Sequence, residues 1–220
     1  MGFNLELAWN SLPYLIGGAG LTLALVSSAL ATGAVLGLFI AIGQVYSIKV
    51  IKIFLNGYVQ FFRNLPCLLL LWLFWLGLPE IGIKFPVFIA ALLAYGLRSA
   101  AYQSQIFRGS IQAISSSQMM AARAVGLSIP KSIMYIILPQ ALRISIPGFT
   151  NEYSIVLKDS AIAYSIGLAE LLTRGGFIIE RTFDPMTIYL TVAVLYLILT
   201  YGGIKLLNII ESRLRIPGYE

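Results

Sequence analysis

An all-α polytopic membrane protein is the fold class this sequence predicts, and three observations carry it. Of the 220 residues, 59% are hydrophobic and 11% charged, where soluble chains run at about 45–50% and about 25%. Apolar runs long enough to cross a bilayer recur along the chain, roughly 20 residues being enough for one helical span. The few charges are sorted by segment rather than spread evenly, as membrane sidedness requires. A chain of this length holds a handful of spans and their loops, so it reads as one transmembrane domain over 1–220.

The first element is the uncharged stretch Leu7–Ile48, long enough for one long helix or a tight hairpin of two. Pro13 suits a helix start, which gives a span over about 13–46. Gly17, Gly18, Gly33, Gly37 and Gly43 let neighbouring helices come close. A second span is expected over 58–78, with Arg63 near its start and the turn-like Pro79-Glu80-Ile81-Gly82 after it. The third, 85–109, is unusual in carrying Arg98. Pro139 and Pro147 interrupt the fourth, 136–157. The segment Ala161–Asp184 reads as an amphipathic, glycine-broken connector, and the fifth span, 186–207, is uncharged until Lys205.

Sidedness follows from the basic residues. Lys49, Lys52, Arg63, Arg108, Arg123, Lys131, Arg143, Lys205, Arg213 and Arg215 fall on one side, against Glu211 and Glu220. Lys84, Arg174 and Arg181 fall on the other, against Glu6, Glu80, Glu170, Glu180 and Asp184. The basic-rich side is the cytoplasm. An N-terminus without Lys or Arg sits outside, so the first run must cross an odd number of times and is one long helix. Five spans result, N-terminus outside and C-terminus inside. The opening residues also lack the positive start of a cleaved signal peptide.

Counts exclude several chemistries. There is no His and Cys67 is alone, so no Cys/His metal site, disulfide framework or His-based nucleophile system can form. No G-x-x-x-x-G-K-[ST] stretch is present to cradle nucleotide phosphates. The net charge of +6 is accounted for by sidedness, so nucleic acid is not expected as a partner. The chain is not expected to be an enzyme.

The strongest motif lies in the loop 111–131. Ser115 with Gln118 three residues later forms a capping-box pattern, and Gly126 is a suitable stop for the short helix between them. Ser128 and Pro130 open a second helix leading back to the membrane. Ala121-Ala122, three residues, Gly126, nine residues, Ile136, then Leu138-Pro139 reproduces the spacing of the EAA loop. The chain thereby resembles the membrane permeases of ABC importers, with Met120 where that family has its leading Glu. The resemblance implies a coupling helix, with Gln118, Met120, Ala121, Ala122, Arg123 and Gly126 seated in a groove of a separate cytoplasmic ATPase.

Other stretches narrow the likeness to permeases for polar amino acids. Tyr58-Val-Gln-Phe-Phe-Arg-Asn-Leu-Pro66 resembles the subfamily's Phe-Arg-Gly-Thr-Pro, with Asn64 for Gly. Tyr102-Gln-Ser-Gln-Ile-Phe-Arg-Gly109 resembles its Tyr-x-x-Glu-x-x-Arg-Gly, with Gln105 for Glu. Leu138-Pro-Gln-Ala-Leu-Arg143, Pro147, Asn151 and Lys158-Asp-Ser160 follow it as well. The match runs over about 12–212.

Charges within the spans are the remaining signal, since each costs at least about 2.5–3.5 kcal/mol at bilayer depth. Arg98, Tyr102, Gln105 and Gly109 make one polar stripe on the third helix. On the fourth, Glu152 and Asp159 share a face at i, i+7, and Asn151 and Lys158 share the adjacent one. Arg98 is the candidate protein partner for Glu152 or Asp159. These pairs either lock helices together or line a solute path of Asn151, Glu152, Lys158, Asp159, Arg98 and Gln105. Glu152 meeting a cationic group favours cationic amino acids. Trp72, Trp75, Tyr58 and Tyr95 read as an aromatic belt and helix packing.

Together these readings describe a permease subunit that forms half of a translocation pathway by alternating access. The resemblance implies a prokaryotic inner-membrane location, a second permease subunit (identical or homologous), and an ATPase dimer that binds ATP and Mg. It also implies an extracellular or periplasmic solute-binding protein docking near the outer connector. An ion-coupled secondary transporter is the alternative. It requires an inverted internal repeat, and none is visible in the sequence.

Overall fold

The computed structural model describes residues 2–214, which form helices joined by short turns, with no strand among them. Arg215 and Glu220, both used in the charge count, lie outside the described residues. Helix α1, Leu5–Tyr46, is one unbroken helix of 42 residues. It starts earlier than Pro13, because the Asn4 side chain accepts from the Leu7 N–H at 3.0 Å and caps it. Pro13 therefore lies inside the helix.

The second span differs from the expectation. Residues 58–78 do not form one helix: α2, Lys49–Asn64, and α3, Cys67–Glu80, meet at an elbow of 104°. Pro66 has no N–H to continue the ladder, and Leu65 before it is extended (φ −79°, ψ 137°). Helix α2 is amphipathic, with Val59 its only buried residue. Helix α4, Val87–Ala113, covers most of the expected third span and starts behind Pro86, but it is not among the helices apolar enough to count as a span by length and composition.

After α4 comes the short α5, Ser116–Ala124, then α6, Ile129–Ile144, and α7, Ile146–Ile166. The fourth span, expected over 136–157 with interruptions at Pro139 and Pro147, is bent by 53° at Ser145, two residues before Pro147. The last turns of α7, Ser160–Ile166, tighten into 3₁₀ form and end at Gly167 with φ +74°. Helix α8, Leu171–Thr182, and α9, Pro185–Leu214, complete the chain. Gly175 and Gly176 lie within α8 and do not break it.

Both bent helices carry the same local irregularity. In α3 the Leu78 N–H bonds Leu73 O, and in α6 the Leu138 N–H bonds Ile133 O, each a wide i→i+5 turn. Each ends immediately before a Leu-Pro pair, Leu78-Pro79 and Leu138-Pro139. A proline ring collides with the carbonyl four residues back in a regular helix, and the wide turn moves that carbonyl aside.

Helices α1 and α9 are each long and apolar enough to cross a membrane unbroken. The number rises to four if each bent pair counts as one span. Helix α4 packs along α1 through small residues: a Cβ on Gly37 would stand 2.9 Å from Ser104 N and 3.0 Å from Ala100 O. Beside this seam, Leu25, Val26, Leu70, Leu71, Tyr95 and Leu157 form a buried core shared by α1, α3, α4 and α7. The starts of α1 and α9 are tied together, Asn4 N donating to Thr187 Oγ1 at 3.0 Å. Asp184 accepts from the Thr187 hydroxyl and N–H, which hold its carboxyl below the usual range.

Candidate functional site

The charged side chains of the spans gather where α4 and α7 face each other. Arg98, near the midpoint of α4, donates through Nη1 to Asp159 Oδ2 at 2.8 Å, the one salt bridge among the described residues. The heptad spacing on α7 brings Glu152 to the same face, but to a different partner. Ser99 Oγ donates to Glu152 Oε1 at 2.7 Å, and Gln103 Nε2 donates to Ser99 Oγ at 2.9 Å. Gln103 also donates to Leu30 O of α1. Glu152 is only 3% exposed, with Ser99 its one side-chain hydrogen-bond partner. The relay Gln103–Ser99–Glu152 was not anticipated, because Ser and Gln on an apolar helix gave no signal until their partners were placed.

Of the six residues expected on a solute path, Arg98, Asp159 and Glu152 come together. Asn151 and Lys158 occupy the adjacent face of α7 and are exposed. Gln105 goes elsewhere. Its Nε2 donates to Gln44 Oε1 of α1 at 3.0 Å, and Gln44 Nε2 donates to Asn56 Oδ1 of α2 at 2.8 Å, an amide chain binding three helices. Tyr95 is buried, with its hydroxyl donating to Asp159 O at 2.9 Å, and the Tyr58 hydroxyl donates to Leu97 O at 2.7 Å.

Arg63 was counted with the basics of one membrane side. It stands beside α4, its guanidinium carbon 5.0 Å from the Tyr102 ring centroid, with Arg98 at 4.9 Å from the same ring. The end of α2 is tied to α4 here by the Tyr58 hydroxyl on Leu97 O at 2.7 Å and the Tyr102 hydroxyl on Arg63 O at 3.4 Å.

A second cluster lies near the outer connector. Glu170, counted with the acids of the outer side, is fully buried and caps α8. It accepts from Thr173 N at 2.7 Å, Thr173 Oγ1 at 3.0 Å, Tyr196 hydroxyl at 2.6 Å and Thr22 Oγ1 at 3.3 Å. Three hydroxyls and an amide replace the water it would otherwise need. Arg174 beside it bonds Ala169 O and Tyr14 O and covers Gly17 and Gly18.

The loop 111–131 forms a projecting knob. Ser115 caps α5 by accepting from Ser117 N at 3.3 Å, while the Gln118 side chain makes no return bond among the described residues. Only half of the capping box is therefore present. At the other end Gly126 has φ +88°, Leu127 N bonds Ala122 O and Gly126 N bonds Arg123 O, which closes the helix in a Schellman turn. Ala122 is the buried contact of α5, and Met120 and Val125 point outward at 64% and 80% exposure.

Residues 33–216 match the family described as binding-protein-dependent transport system inner membrane component. The octopine transport system permease protein OccQ of Rhizobium meliloti is 34% identical, over 97% of this chain and 94% of its own length. The histidine/lysine/arginine/ornithine transport system permease protein HisM of Escherichia coli is 35% identical, over 91% of this chain and 88% of its own. A solved amino acid ABC transporter with histidines superposes with TM-score 0.88 at 34% identity, covering 97% of this chain and all of that one. The inward-facing methionine ABC transporter MetNI shares the fold, with TM-score 0.81 at 21% identity over 94% of this chain and 99% of that one.

Proposed function

This chain belongs to the family of inner membrane components of binding-protein-dependent transport systems, and on that premise we propose how it carries its solute. It is the permease subunit of an ATP-driven importer for polar amino acids, basic ones foremost, and it performs no covalent chemistry itself. The carrying observation is the knob. It is a rigidly capped helix whose outward side chains, Met120 and Val125, are apolar and uncovered. An apolar patch held at one end of a bundle suits docking into a groove of the ATPase, which would bind ATP and Mg.

The reading takes α1, α3, α4, α6–α7 and α9 as five spans, with the knob and C-terminus in the cytoplasm and the N-terminus outside. A second permease subunit completes the pathway, and a solute-binding protein docks at the α8 end. ATP binding draws the two knobs together and favours the outward-open state; nucleotide release favours the inward-open one. Asn151, Glu152, Lys158, Asp159 and Arg98 are taken as path residues. Gln105 is read as a brace rather than a path residue, since it donates to Gln44 of α1, which in turn donates to Asn56 of α2.

Basic amino acids are favoured by Glu152, a buried carboxylate with no cation in ion-pair contact. A solute cation reaching it would replace the single bond from Ser99 with a charge pair. The HisM relative, named for histidine, lysine, arginine and ornithine transport, agrees with this class. The relatives give no support to ion coupling.

The test is reconstitution in liposomes with candidate ATPase and solute-binding subunits, following labelled arginine, lysine and glutamine. Uptake is expected to require ATP and the binding protein, and uptake indifferent to both would end the reading. Glu152→Gln is expected to reduce arginine and lysine uptake about tenfold or more, a charged hydrogen bond being worth about that factor. Glutamine uptake should change little, and an equal loss for all three solutes would exclude Glu152 as the cation partner.

A further inference from the structure

Two guanidinium groups converge on one aromatic ring, and of the two acids near them, Asp159 and Glu152, only Asp159 makes an ion pair. We propose that Arg63, with Tyr102 and Arg98, forms the site for the α-carboxylate of the transported amino acid. The inference rests on the amino-acid reading above and assigns the other end of the same solute.

Arg63 is exposed, and its side chain forms no hydrogen bond or ion pair with any described residue. Its guanidinium lies 5.0 Å from the Tyr102 ring, a contact worth about 0.5–1 kcal/mol at an exposed site, and the Tyr102 hydroxyl donates to the Arg63 carbonyl at 3.4 Å. Holding an arginine beside the middle of a spanning helix costs at least about 2.5–3.5 kcal/mol, so the ring alone does not offset it. Arg98 stacks on the same ring at 4.9 Å. Its Nη1 is committed to Asp159, and its Nε is buried with no acceptor. Two cations thus share one ring, and one carboxylate contacts one of them. Glu152 is turned to Ser99.

What the arrangement lacks is an anion with two oxygens in a plane, the shape a guanidinium fork accepts. A lipid headgroup does not reach the middle of a span, whereas the carboxylate of a solute in the pathway does. Tyr102 then acts as a platform that keeps the two forks apart and oriented. Ser99, the residue next to Arg98, carries the bond to Glu152. The α4 face therefore offers a base for a carboxylate beside an acid for an ammonium or guanidinium, matching a zwitterion.

The experiment uses the purified permease–ATPase complex in detergent without binding protein, so that the receptor's selectivity does not intervene. Equilibrium dialysis compares each L-amino acid with its decarboxylated amine: arginine with agmatine, lysine with cadaverine, histidine with histamine, glutamine with γ-aminobutyramide. The unmodified complex should bind its amino acid about tenfold or more tighter than the amine. Arg63→Gln should abolish that preference by weakening the amino acid alone, and Arg63→Lys should restore part of it.

A preference that survives Arg63→Gln overturns the carboxylate assignment and leaves the amino-acid reading intact. Equal weakening of acid and amine, with the permease dimer dissociating, also overturns it and assigns Arg63 to subunit packing. If the unmodified complex binds none of the four amino acids, the amino-acid reading fails and this inference with it.

Discussion

Glu170 has four donors and no cation. Its Oε1 takes both groups of Thr173, and its Oε2 takes the hydroxyls of Thr22 and Tyr196, so one carboxylate joins α1, α8 and α9. Removing it leaves several buried donors unmet at about 1–3 kcal/mol each. Glu170→Ala is therefore expected to destabilise the detergent-solubilised chain by roughly 3 kcal/mol or more, measured by thermal unfolding, and Glu170→Gln by less. An unchanged unfolding temperature in the alanine variant would show that water replaces the lost acceptor. None of this was legible beforehand. The acid sits in a connector, Glu is not a preferred capping residue, and Thr22 and Tyr196 lie far away in sequence. By contrast, the pairing of Arg98 with an acid of α7 could be read directly, because helical spacing put Glu152 and Asp159 on one face.

At the scale of the helix, the α1–α4 seam shows what glycine spacing can reveal. Five glycines in a long apolar run announced close contact, and Gly33 and Gly37 make it, against Ser99, Gln103, Ala100 and Ser104. Gly37→Ala would push a methyl group against the α4 backbone, which cannot yield as a side chain can. We expect it to cost about 1–3 kcal/mol. Gly20→Ala meets open space and should be neutral or slightly stabilising. Thermal unfolding of the two variants side by side checks the contrast, and equal effects would mean that the seam is looser than described. Broken helices were less legible. The apolar run continues through Leu65-Pro66, so composition gave an unbroken second span, whereas Pro139 and Pro147 marked the fourth as interrupted without giving its angle. The angle of each bend depends on packing partners such as Tyr58 on Leu97, which no local pattern contains.

At the scale of the whole molecule, the knob and the charged cluster are separate, and helices α4 and α6–α7 run between them. The knob's position and its Gly126 stop were readable because loop spacing and a left-handed glycine are local properties. Which of its side chains face outward was not. Val125→Asp should leave the unfolding temperature unchanged and lower transport and ATPase stimulation about tenfold or more. Met120→Glu, which restores the acid of the EAA pattern, should be tolerated. Equal activity of the Val125 variant would remove that face from the coupling surface. The wide turn Ile133–Ile137 has a bearing on the same connection. Measured in residues, it is a one-residue insertion that a regular helix over the same distance would not need. Each residue of helix advances the phase by about 100°. A shortening by one there, with the turn closed to regular pitch, would rotate Ser132 and Ala122 out of their buried positions. The azimuth at which the knob leaves the bundle is thus set by counting, and a one-residue deletion resets it without altering any side chain of the knob.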